Sequence, residues 1–236
     1  MLHIIFLHGA LGSASQLSPL ISYFQSLYPE VKCHVLEFTG HGKKAAQNKD
    51  IDFSIQQFSN DLLSYILKID KKPNDKICVF GYSMGGYAAL NLLKTHQDII
   101  DRLFTLGTKF NWNEESSKAE VKHLEPDKIE SKIPKFAEAL KERHSSAEWK
   151  NVLSNTAKMM LELGRAPLLQ SNDLKNIDCN VRICVGDSDN MVTIEESEKA
   201  SRDLKNGSLL VLPETLHPIE KVDIKKLCHE IHEFFK

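Results

Sequence analysis

Six short stretches of the chain are almost continuously apolar: HIIFL (3–7), CHVLEF (33–38), KICVF (76–80), DRLFTL (101–106), VRICV (181–185) and SLLVL (208–212). A strand covered on both faces has no solvent side to keep polar, so it reads as such a run rather than as an alternation. Longer stretches between them carry apolar residues at helical spacing: Leu17, Leu20, Ile21, Phe24 and Leu27; Ile55, Phe58, Leu62 and Ile66; and Ile224, Leu227, Ile231 and Phe234. Strands that alternate with helices in this way predict an α/β fold. Its mostly parallel sheet has about six strands, with helices on both faces. In such sheets ligands bind beyond the carboxyl ends of the strands.

One stretch breaks the alternation. Residues 113–172 read as helix only, too long for a simple crossover. Pro134 is placed to open a helix through Phe136 and Leu140. Trp149, Val152, Leu153, Thr156, Met160 and Leu163 form a further stripe, with Gly164 and Pro167 as its closing signals. The reading is a helical lid, 113–172, inserted between two parts of one core, 1–112 and 173–236, and hanging over the carboxyl ends of the strands.

Composition narrows the class. The 236 residues are 42% hydrophobic and 26% charged, enough for a sizeable core and unlike a disordered chain. A net charge of -2 gives no electrostatic reason to expect nucleic acid or an anionic membrane as partner; the partner expected is a small-molecule substrate. The start, MLHIIFLHG, has neither the basic region nor the apolar length of a signal peptide or spanning helix. Cys33, Cys78, Cys179, Cys184 and Cys228 are odd in number and lack zinc-type spacing, so the expectation is free thiols in a cytoplasmic protein with no metal. HEIH (229–232) could offer two histidines to zinc, but without further ligands it reads as a solvated helix face.

The chemistry concentrates in loops that follow strands. FGYSMGGYAAL (80–90) sets Ser83 among Gly81, Gly85 and Gly86, between the strand 76–80 and a helix from Met84 to Leu93. A sharp strand-to-helix turn needs small neighbours, and it displays its central serine as a nucleophile. Serine needs a base, and His217 follows the last strand in LPETLHPIEKVD. His3 and His34 fall in strands, while His96, His123 and His144 read as surface or lid residues. The base needs an orienting carboxylate, and VGDSDNMV offers Asp187 and Asp189, either of which could instead cap the helix near Thr193. In FLHGALGS (6–13), Gly9 and Gly12 let the backbone bend. The N–H groups of Ala10 and Met84 are then candidate oxyanion donors. The pocket candidates are His8, Gly9, Tyr82, Lys109 and Trp112, with Met159 and Met160 open between pocket lining and lid packing.

Taken in order, FLHGALGS, FTGHGKK, GYSMGG, GDSDNMV and ETLHPIE resemble the signature loops of the α/β-hydrolase superfamily. The resemblance implies an α/β-hydrolase fold with a Ser83–Asp189–His217 triad, since the family acid stands three residues after the glycine that ends its strand, here Gly186. It implies no cofactor. Glu37 stands where members usually carry Asp, Lys43 and Lys44 follow the GHG loop, and the family's first two antiparallel strands have no counterpart. The leading expectation is a serine hydrolase acting on an ester or thioester of a small carboxylic acid. A C–C hydrolase or lyase resembling the menaquinone-pathway synthase is a second reading. It would draw on Arg143, Arg165, Lys43, Lys44 and Lys109 to hold a polyanionic substrate. A ligand receptor on the same scaffold is a third.

Overall fold

The six apolar runs become the six strands of one sheet: β1 (Leu2–Leu7), β2 (Lys32–Leu36), β3 (Lys76–Tyr82), β4 (Arg102–Leu106), β5 (Asn180–Gly186) and β6 (Gly207–Leu212). The structure is a computed structural model and describes residues 1–47 and 51–236. The strand order is β2-β1-β3-β4-β5-β6, and every neighbouring pair is parallel. Because side chains alternate along a strand, each run feeds two cores. Ile4, Phe6, Cys78, Phe80 and Phe104 pack with α1 (Ser18–Leu27) and the C-terminal helix Ile224–Phe235. Ile5, Leu7, Ile77, Val79 and Leu103 pack on the other face with α2 (Ile55–Ile66) and α3 (Met84–Leu93). The chain order reverses between β1 and β3, the switch point at which sheets of this kind bind ligands. Leu7 lies beside Gly81, and Tyr82 beside Leu106, so these strands end level.

Strand β2 stops at Leu36, short of the expected 38, because Glu37 serves two loops instead. Its carboxylate accepts from the amides of Ala14 (2.7 Å) and Lys43 (3.3 Å). Five helices separate β4 from β5: α4 (Glu114–Val121), α5 (Pro126–Lys132), α6 (Pro134–His144), α7 (Trp149–Arg165) and α8 (Ser171–Lys175). Helix α9 (Ile194–Asp203) follows β5, capped by Thr193 itself and by neither aspartate, and α10 is Ile224–Phe235. Among the described residues no helix is long and apolar enough to cross a membrane.

Gly164 does not close α7; the helix runs through it to Arg165. The glycine marks a helix crossing, where a Cβ would come within 2.0 Å of Ser117 Oγ on α4 and 2.7 Å of Asn113 O. Gly164→Ala therefore sets a gain of about 1 kcal/mol in helix propensity against overpacking of about 1–3 kcal/mol. A lower thermal midpoint is expected; a raised one would show that α4 can yield at this contact.

Candidate active site

Ser83 alone makes the turn between β3 and α3, with φ 51° and ψ -116°. That left-handed φ is costly for a residue with a Cβ, so its surroundings must hold it. They do: Ser83 N donates to Leu106 O (2.8 Å), and Ser83 O accepts from Thr108 Oγ1 (3.0 Å) and Gly86 N (3.0 Å). The glycines follow from crowding, since a Cβ on Gly81 would lie 2.5 Å from the Gly86 backbone. Met84 supplies the first amide of α3, which has no carbonyl of its own helix to bond.

His217 and Asp189 meet at 2.8 Å, Nδ1 to Oδ2, with side chains 8% and 2% exposed. The other carboxylate oxygen accepts from Met191 N (2.8 Å) and Val192 N (2.9 Å). Burial pushes the Asp189 pKa up, but the bond to His217 and the two amides outweigh it and hold the group below its ordinary value. Asp189 is thus an anion, His217 Nδ1 is the donor, and Nε2 keeps its lone pair for another proton. Asp187 is exposed and turned elsewhere, accepting from Ser188 Oγ (3.0 Å) and Thr215 N (3.3 Å). Two glycines show how close the pieces lie. A Cβ on Gly107 would stand 3.2 Å from His217 Nδ1 and 3.3 Å from Asp189 Oδ2, and one on Gly9 would stand 3.1 Å from Ser83 Cβ.

The loop after β1 is held by His8. The Phe38 amide donates to His8 Nε2 (3.2 Å), so the ring hydrogen is on Nδ1 and donates to Gly9 O (2.8 Å). Burial lowers the His8 pKa to about 3, which keeps the ring neutral. Ala10, two residues on, shares a cavity wall with Ser83 and Met84.

That cavity is about 40 Å³ and its wall is mostly apolar, with Ile55, Tyr87, Trp112, Met159, Met160 and Leu163 beside Ser83. Of the pocket candidates, Lys109 and Trp112 line it; His8, Gly9 and Tyr82 do not. Tyr82, the last residue of β3, packs its ring against that of His217 (5.6 Å between centres), and its hydroxyl donates to His217 O (3.0 Å). His8 is fully buried and spends both ring nitrogens on the backbone. Lys109 Nζ is engaged by Met191 O (3.0 Å) and Glu120 (3.2 Å). Ile55 was legible only as a core position of its helix. A larger cavity of about 770 Å³ shares Trp112 as a wall, but it is lined by residues such as Phe110, Leu169 and Glu196 and by none of Ser83, Asp189 or His217.

Three further expectations need correction. His144 is 1% exposed rather than a surface residue. Arg143, a candidate to hold a polyanion, instead pairs with Glu220 (3.4 Å) and donates to Leu11 O (2.7 Å). His232 is half-buried and stacks on Tyr28 at 3.6 Å. Among the described residues no group of three or more His, Cys, Asp or Glu is placed to hold a metal ion.

No curated protein matches the chain by sequence. Solved structures resemble it over nearly its whole length. NosK from Streptomyces actuosus superposes with a TM-score of 0.78 at 15% identity, covering 99% of this chain and 96% of its own. A lipase-esterase related protein from Clostridium acetobutylicum gives 0.70 at 19% identity, covering 99% and 94%. The peroxisomal alpha-beta-hydrolase Lpx1 from Saccharomyces cerevisiae gives 0.73 at 17% identity, covering 99% and 77%. At such identities the likeness concerns the fold. The sequence model for the alpha/beta hydrolase fold matches residues 3–125, just over half the chain. With the parallel sheet and the turn at Ser83, this establishes that the chain belongs to the α/β-hydrolase family.

Proposed function

We propose that this protein is a serine hydrolase that cleaves an ester or thioester of a small carboxylic acid. The observation that carries the reading is the His217–Asp189 bond, made beside a serine held at φ 51°. His217 Nε2 takes the Ser83 proton as Oγ attacks the carbonyl carbon, and Asp189 stabilises the imidazolium that forms. The carbonyl oxygen becomes an anion facing the N–H groups of Ala10 and Met84, each worth about 2.7–4 kcal/mol in the transition state. The imidazolium then protonates the departing alkoxide or thiolate. Water, deprotonated by His217, releases the acid and restores Ser83.

The small apolar cavity supports a short acyl group. Met159, Met160 and Leu163 bring α7 into its wall, which supports reading 113–172 as a lid. A polyanion-binding lyase would need free cations here, whereas Lys109 and Arg143 are already engaged and Arg165 is exposed. A fluorophosphonate probe tests the mechanism: it should label Ser83, and Ser83→Ala should lose both labelling and turnover. Soluble short-chain esters should be cleaved faster than emulsified long-chain triglyceride. Labelling elsewhere, or no turnover of any ester or thioester, would refute the assignment.

A further inference from the structure

We propose that His144, at the end of α6, is a positioning residue that aims the oxyanion hole through two rigid peptide units. The inference rests on the hydrolase reading above. Its starting point is the Leu11 carbonyl, which accepts from Arg143 Nη1 at 2.7 Å and meets His144 Nε2 at 2.9 Å. The Gly42 amide donates to the other ring nitrogen, Nδ1, at 2.9 Å. A nitrogen that accepts from an amide carries no hydrogen, so the ring hydrogen of His144 is on Nε2 and donates to Leu11 O. The side chain thereby joins the helical segment to two core loops.

A trans peptide unit is planar, with its N–H pointing opposite to its C=O. The unit between Leu11 and Gly12 carries both the carbonyl held by His144 and the Gly12 N–H. Pulling the carbonyl toward α6 turns that N–H back, and it donates to Gly9 O at 3.1 Å. The unit between Gly9 and Ala10 carries that same Gly9 carbonyl and the Ala10 N–H. Fixing Gly9 O, through Gly12 on one side and His8 on the other, points the Ala10 N–H the opposite way. Leu11 bears the strain of this arrangement, with φ 57° in the region that favours glycine. Without its anchor, a leucine at this φ would relax, and the Ala10 donor would lose its fixed direction.

The test compares kcat and KM for short esters in wild type, His144→Phe and His144→Gln. Phenylalanine keeps the buried ring and loses both hydrogen bonds; glutamine keeps a donor at the Nε2 position. Removing an oxyanion donor outright costs about 10²–10³ in kcat, and misaiming one should cost about 10- to 100-fold. His144→Phe should show that loss in kcat with KM within about threefold, and His144→Gln should restore most of it. Should His144→Phe fail to fold, Arg143→Met, which removes the other Leu11 donor, should lower kcat several-fold at unchanged KM. A folded His144→Phe with wild-type kcat, or one whose loss lies in KM, overturns the proposal, as does Arg143→Met with wild-type kcat. Wild-type protein that neither labels at Ser83 nor turns over esters overturns the hydrolase reading and this inference with it. A labelled, active wild type confines any failure to His144.

Discussion

Asp189→Asn should lower kcat by about 10⁴ with the fold intact, while Asp187→Asn should leave kcat nearly unchanged. The reason lies in the two oxygens of Asp189. Oδ1 accepts from the Met191 and Val192 amides, and Oδ2 from His217. In asparagine the amide oxygen must take the Oδ1 position, since an NH₂ group there would face two N–H donors. The NH₂ then points at His217 Nδ1, which can only accept. The ring hydrogen moves to Nε2, the nitrogen that has to take the Ser83 proton. Local structure survives because both loop amides keep their acceptor. Asp187 accepts through Oδ1 from Ser188 and Thr215, and an asparagine oxygen can do the same, so at most about 1 kcal/mol of stability is expected to go. Steady-state kinetics and thermal midpoints of both variants decide the matter. A collapse of kcat confined to Asp187→Asn would mean that the other aspartate serves the histidine.

The sheet was legible because its inner strands, covered on both faces, read as almost unbroken apolar runs, and the part-buried edge strands β2 and β6 are nearly as apolar. The turn at Ser83 was legible for a similar reason: only glycines tolerate the approach of Gly81 to Gly86. Asp187 and Asp189 could not be separated by residue type, and a family spacing pointed to Asp189 before the geometry put it on His217. What failed to show was contact across long separations. His144 meets residues 102 and 133 positions away, and a histidine on a helix rich in Lys and Glu carries no mark of burial. Tyr82 and His8 stand beside the candidate site without lining its small cavity: Tyr82 packs on His217, and His8 holds the loop after β1. Gly164 signalled a helix end, whereas its role depends on Ser117 of a different helix.

The protein should lose stability steadily as pH falls from about 6.5 toward 4, before most carboxylates titrate. Three buried imidazoles stand behind the loop that follows β1, with His8 and His41 ring centres 5.1 Å apart and His41 and His144 5.8 Å apart. Each resists protonation for a geometric reason. His8 Nε2 and His144 Nδ1 already accept from amides, so a hydrogen added there would face another donor. His41 Nε2 is buried without a partner, so a new N–H would have no acceptor. Burial is the largest cause in all three. It lowers His8 to about 3 and His144 to about 4, and it holds His41 well below 6.5. Unfolded, all three titrate near 6.5. Between that pH and the folded values the unfolded chain binds more protons, so stability rises with pH and is lost as pH falls. Every tenfold loss of proton affinity on folding is worth about 1.4 kcal/mol. Even after allowance for coupling among the rings, the sum is several kcal/mol, a large part of the roughly 5–15 kcal/mol that holds a domain folded. Urea unfolding at intervals from pH 8 to pH 4.5 should show a slope approaching three protons, and His144→Gln should reduce it by about one. A stability that stays flat from pH 7 to pH 5 would show that these rings accept protons in the folded state.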